Sequence, residues 1–117
     1  SPFCMTLLDD NHCTDVTIEN YHASDCRRMA LSVKSWGNAT TGKVTIRNSS
    51  FSFIGIPEPG LGAKIASMPF DQWPYFPSYG AYFRNVGEVV LDNVSFSTVG
   101  PDDRDDIYTD NVGYLKR

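Results

Sequence analysis

The nine residues Val44-Thr45-Ile46-Arg47-Asn48-Ser49-Ser50-Phe51-Ser52 decide how this chain folds. Their first five positions alternate apolar and polar, the mark of a strand with one buried face. The same template returns as Val16-Thr17-Ile18-Glu19-Asn20-Tyr21-His22-Ala23-Ser24 and as Val89-Val90-Leu91-Asp92-Asn93-Val94-Ser95-Phe96-Ser97. Each copy reads apolar, any residue, apolar, charged, Asn, two variable residues, Ala or Phe, then Ser. An Asn fixed after each strand has a mechanical use. It tolerates left-handed backbone angles at a tight corner, and its amide can bond to the Asn of the next copy. Phe51 and Phe96, three residues beyond the corner, should turn inward and stack on each other.

A second register appears nearer the end, where Tyr82-Phe83-Arg84-Asn85-Val86-Gly87 recurs 26 residues later as Tyr108-Thr109-Asp110-Asn111-Val112-Gly113. Short strands, a fixed corner and a period in the twenties predict an all-β fold, a parallel β-helix of about four turns. No segment carries a convincing helical period. Asp25 to Lys34 reads as a corner followed by a strand over Met29 to Ser35. Asn20 and Asn48 are 28 residues apart, but Asn48 and Asn93 are 45 apart. The surplus falls between Gly55 and Tyr79, a stretch that holds five of the seven prolines. Such a stretch cannot join a sheet ladder, so a long loop projecting from the solenoid is expected over about 55–79.

The chain has 117 residues, 41% of them apolar and 21% charged, which suits a single domain spanning 1–117. No apolar run approaches the roughly 20 residues of a spanning helix, so no membrane partner is expected. Net charge −4 gives no basic face for nucleic acid. The opening Ser1-Pro2-Phe3-Cys4 has neither a basic start nor an apolar core, so any export signal is expected to have been removed. Met5-Thr6-Leu7-Leu8 begins as a strand without a cap and Tyr114-Leu115-Lys116-Arg117 stops inside one. The expected partners are therefore the remainder of a longer β-helix, or a second copy meeting the uncapped ends.

Three cysteines, Cys4, Cys13 and Cys26, read first as buried thiols. A Cys4–Cys26 disulfide stays open, because the two are 22 residues apart, close to one turn. His12 and His22 make no zinc spacing with them, so no metal or other cofactor is expected.

Against this background, Pro57-Glu58, Pro77-Ser78-Tyr79-Gly80-Ala81-Tyr82-Phe83-Arg84-Asn85-Val86, Leu91-Asp92-Asn93-Val94 and Pro101-Asp102-Asp103-Arg104-Asp105-Asp106-Ile107 follow one another in order. The series resembles the late turns of family 28 glycoside hydrolases. These are the polygalacturonase and rhamnogalacturonase relatives within the pectin-lyase-like right-handed β-helix group. The likeness covers most of residues 13–117, with Asp105 standing where the last element of the family carries proline. It implies a right-handed helix and the C-terminal portion of a secreted, inverting hydrolase. Its substrate would be a pectin-like polysaccharide rich in uronic acid or rhamnose. The family's Asn-Thr-Asp and Gly-His-Gly motifs are missing here. In the late-turn register they would precede Ser1, which places the main catalytic carboxylates outside this chain. Asp9-Asp10 could mimic the family's Asp-Asp pair, although a solvated corner is the preferred reading.

The remaining candidates concern substrate. Trp73, Tyr75 and Tyr79 can stack on sugar rings, while packing of the loop onto the solenoid wall is the stronger reading of such aromatics. Lys34, Arg84 and Arg104 can pair with uronate carboxylates, the arginines by a bidentate fork, although surface ion pairs with neighbouring Asp are the commoner use. The run 102–106 reads as a solvated turn in which Arg104 pins one carboxylate. His22 is read as a bystander. Of three N-x-[ST] triplets, only Asn38 stands in an open polar loop and is the glycosylation candidate, because the corner ladder should bury Asn48 and Asn93. The alternative to the enzyme reading is a non-catalytic β-helix module that binds glycan or protein.

Overall fold

A computed structural model describes residues 1–27 and 29–117. The repeat becomes seven parallel strands in one curled sheet: β1 (Cys4–Leu7), β2 (His12–Glu19), β3 (His22–Cys26), β4 (Leu31–Ser35), β5 (Thr40–Ile54), β6 (Ser78–Val99) and β7 (Asp105–Lys116). The long strands bend at their asparagines, so the pairing divides into three ladders. The first joins β1, β4 and the opening residues of β6 and β7. The second joins β2, the first half of β5, the middle of β6 and the end of β7. The third joins β3 with the last parts of β5 and β6.

The corners take the backbone form that the repeated Asn requires. Asn20, Asn48, Asn85, Asn93 and Asn111 all have φ between 49° and 57°, the left-handed region that Asn tolerates and β-branched residues avoid. Asn93 donates its side-chain amide to Asn48 Oδ1 at 3.0 Å, and Asn111 does the same to Asn85 Oδ1 at 2.8 Å. The ladder of amides runs along the outside. Asn48 and Asn93 are exposed, which corrects the expectation of buried amides. Asp25 is also left-handed and β4 begins at Leu31, so a corner and a strand flank Arg28, which lies outside the described residues.

Inward rows build the core. Ile18, Ile46 and Leu91 form one row of the second ladder, and Val16, Val44 and Val89 another. Tyr21, at the corner before β3, stacks on Phe51 of the third ladder and Phe51 on Phe96, with centroids 5.6 and 5.4 Å apart. Outward rows of the second ladder alternate in charge. Asp15, Lys43 and Glu88 form one and Glu19, Arg47 and Asp92 the other, with Arg47 Nη1 2.8 Å from Glu19. Opposite charges directly across a ladder favour this register over a slipped one.

Residues 55–77 depart from the expected projecting loop. They contain the short helix α1 (Leu61–Ala66), whose Leu61 and Ile65 are buried, and one 3₁₀ turn at Phe70–Gln72. Six residues are too few for a helical period to stand out, and Gly60 and Gly62 dilute the local propensity. Tyr79, placed by the sequence at the end of the loop, belongs to β6. No helix among the described residues is long and apolar enough to cross a membrane.

The three cysteines are free thiols, and the Cys4–Cys26 disulfide is not made. Stacked residues of the first two layers are 28 apart, whereas Cys4 and Cys26 are separated by 22. Cys4 consequently lies on the first ladder opposite Ser32, and Cys26 on the third opposite Phe53. Cys4 is exposed and Cys13 and Cys26 half-buried, so none is the fully buried thiol that was expected.

Candidate functional site

The outer side of the first ladder gathers the most chemistry. Its register sets Thr6, Lys34, Arg84 and Asp110 in one row and Cys4, Ser32, Tyr82 and Tyr108 in the row two residues away. Strand alternation turns both rows to the same side. Lys34 Nζ donates to Ser32 Oγ at 3.0 Å and to Cys4 Sγ at 3.4 Å, and lies 5.6 Å from the centre of the Phe76 ring. No carboxylate pairs with Lys34 among the described residues. Arg84 lies over Trp36, its Cζ 4.1 Å from the ring centre, and is ion-paired with Asp110.

The 55–77 segment closes over this side with aromatic rings. Phe70 meets Trp36 edge-on at 4.5 Å and lies tilted against Trp73 at 4.7 Å. Phe76 lies parallel to Tyr82 at 4.8 Å, and Trp73 meets both Tyr82 and Tyr108 at right angles. The Trp73 indole N–H donates to the Met68 carbonyl at 3.0 Å, which fixes its tilt. Tyr82 is fully enclosed. Burial pushes its phenol above the ordinary value, against the opposing charge of nearby Arg84. The Tyr82 hydroxyl and Arg84 Nε are buried without a hydrogen-bond partner.

Of the residues singled out in the sequence, Lys34, Arg84 and Trp73 are thus brought together. Trp36 joins them and was missed. Its signal was its place directly after the alternating strand Leu31–Ser35, where the chain leaves the sheet beside the Lys34 row. Tyr75 is half-buried in the segment above.

Tyr79 lies elsewhere. Its hydroxyl donates to the Phe96 carbonyl at 3.3 Å and its ring packs edge-on to Phe53 at 6.3 Å, so it faces the core rather than an outer groove. Burial, reinforced by Asp106, raises its pKa.

Arg104 is likewise withdrawn from any substrate. It is 5% exposed and forks onto Asp102, with Nε 2.9 Å from Oδ1 and Nη2 2.6 Å from Oδ2. Its Nη1 donates to the carbonyls of Phe76 at 3.2 Å and Ser78 at 3.5 Å, while Asp102 accepts from the Ile56 N–H at 3.0 Å. Arg104 thus pins one carboxylate as expected, but the pair is a buried clamp that ties both ends of the 55–77 segment to the chain before β7, while Asp103 and Asp105 beside it are exposed. Burial alone would raise the Asp102 carboxyl, but the hydrogen bonds from Arg104 and Ile56 outweigh it and hold the group below the usual carboxylate value.

Asp9 and Asp10 form an exposed turn, with Asp9 left-handed at φ 61° and Asp10 accepting from the Asn38 amide at 3.5 Å. Asn38 itself is exposed. A separate polar cleft of about 470 Å³ follows the Asn20, Asn48 and Asn93 corner, and His22 on its wall bonds Ser50 Oγ at 2.7 Å.

Comparison with protein-family models, with curated proteins and with solved structures finds no match to this chain.

Proposed function

We propose that the curled parallel sheet is a stretch of right-handed β-helix and that the chain is the C-terminal portion of a secreted family 28 glycoside hydrolase. In this reading it completes the helix and lines the groove for a pectin-like polysaccharide. The catalytic carboxylates lie outside it. The observation that carries the reading is the row Lys34–Arg84 beside Trp36 and Trp73. Cations one strand apart, next to aromatic faces, suit a sugar that carries carboxylates. The open edges of β7 and of β1 to β3 are where further strands of the helix would pair.

A non-catalytic β-helix module that binds glycan is the second reading. It is favoured by the placement of the acids. Asp110 is tied to Arg84, Asp102 to Arg104, and Asp9 and Asp10 stand on an open corner, so these four acids do not form a free pair beside the cationic row. Glycosidic cleavage needs two such acids on opposite sides of the bond.

Titration with an oligogalacturonide tests the shared element. Lys34→Ala should weaken binding about tenfold, as expected for loss of one charged hydrogen bond. Unchanged affinity in Lys34→Ala and Trp73→Ala would remove the glycan reading altogether. Reducing-end release from polygalacturonate by the chain alone would show that its own acids suffice and would overturn the placement of the catalytic groups elsewhere.

A further inference from the structure

The free edge of β7 carries its own selection rule. Leu115 continues the inward row of Val44 and Val89, both fully buried, yet is 36% exposed, and Tyr114 beside it is 56% exposed. Among the described residues β7 pairs with β6 alone, so its other edge presents unpaired backbone groups next to apolar side chains.

Two columns run through the sheet up to that edge. One is the amide pair Asn85–Asn111. The other is Gly42, Gly87 and Gly113. A Cβ on Gly87 would stand 2.6 Å from the Gly42 carbonyl oxygen, and one on Gly113 would stand 2.6 Å from the Gly87 oxygen. At this column the backbone of each strand turns its α-hydrogen onto the carbonyl below, and no side chain fits. Gly42 meets the Thr14 carbonyl at the same 2.6 Å. The pairs Cys13–Thr41 and Asp15–Lys43 place Thr14 in this column on β2.

We propose that the β7 edge takes a parallel strand of the pattern Asn-apolar-Gly, with its Asn over Asn111 and its Gly over Gly113. A second copy stacked in register would instead offer Thr14 over Gly113. Its Cβ would then meet a carbonyl oxygen well inside contact distance. The occupant is therefore a strand with a chosen sequence, recognised by backbone pairing along β7 and by the absence of a side chain at one position. This inference is independent of the glycan reading.

The probe is a synthetic peptide with the sequence of Asp105–Lys116, which carries Asn-Val-Gly in the required spacing. Binding is read as protection of β7 amides from hydrogen exchange, beside the sedimentation of the chain alone. The peptide should protect β7. A version with Ala in place of its glycine should bind about tenfold more weakly, and the chain alone should not stack end to end. Equal protection by the two peptides, no protection by either, or end-to-end growth of the chain would each overturn the proposal.

Discussion

Phe51 and Phe96, 45 residues apart in the chain, lie with ring centres 5.4 Å apart and planes 16° from parallel. Tyr21 extends the same stack on the other side of Phe51. The three rings fill the space under the third ladder, and Phe51 in the middle is 1% exposed.

Phe51→Ala should therefore cost about 3–5 kcal/mol, the range for emptying a buried aromatic site. Phe96→Ala, at a half-buried position, should cost less. Urea unfolding of both variants gives the comparison. A Phe51→Ala loss under about 1 kcal/mol would mean that the stack contributes little.

Gly87→Ala tests the glycine column. The added methyl would sit 2.6 Å from the Gly42 oxygen, so two strands must move apart at a fully paired part of the sheet. Overpacking of this kind costs about 1–3 kcal/mol. Thermal unfolding should show a lowered midpoint, and a variant as stable as the parent would contradict the tight approach.

Asp102→Asn leaves the Arg104 guanidinium buried without its counter-charge. The expected loss is about 3–5 kcal/mol, with the 55–77 segment more open to proteolysis than the strands. The pH dependence has a definite sign. The Asp102 carboxyl titrates lower in the folded chain than in the unfolded one, through its bonds to Arg104 and Ile56. Its contribution is complete above the unfolded value, near pH 4, and is lost as pH falls through the folded value. Stability measured from pH 7 down to pH 3 should fall more steeply in the parent than in Asp102→Asn. Parallel curves would assign the acid sensitivity to other groups.

A thiol count under denaturing conditions without reductant should find three free cysteines, since none is bonded. Alkylation of the native chain should also be ordered. Burial raises the Cys4 thiol, but the Ser32 hydroxyl and the Lys34 ammonium more than compensate and bring it below the ordinary value. Cys26 is pushed up, chiefly by burial. Cys4 should thus react with iodoacetamide at lower pH than Cys26, and Lys34→Met should narrow the gap. Equal profiles in the parent would show that Lys34 does not act on Cys4.

How much of this was readable beforehand depends on the range of the interaction. The five corner asparagines were visible, or implied by the repeat, because a left-handed corner is a property of one residue and its neighbours. The Phe51–Phe96 contact was visible because a repeat converts a separation of 45 residues into adjacency. For Arg104 the pinned carboxylate was visible but its burial was not, for the opposite reason. Charged runs are usually solvated, and only the return of residues 76–78 over the Asp102–Arg104 pair buries it. The disulfide failed on arithmetic: a separation of 22 residues falls short of the 28 that stacks one layer on the next.

The sequence by itself determined the strands, their corners and the inward rows, since alternation and backbone sign are local and the repeat fixes their order. Only the tertiary structure decided which side chains meet on the outer side of the first ladder. Lys34 reaches Cys4 and Arg84 lies over Trp36 through the pairing of β1, β4 and β6, and Phe76 lies on Tyr82 because the 55–77 segment folds back onto the first ladder. That choice depends on the buried anchors Leu61, Ile65 and Phe76 and on the clamp at Arg104. These contacts span tens of residues outside the repeat, where no period records them.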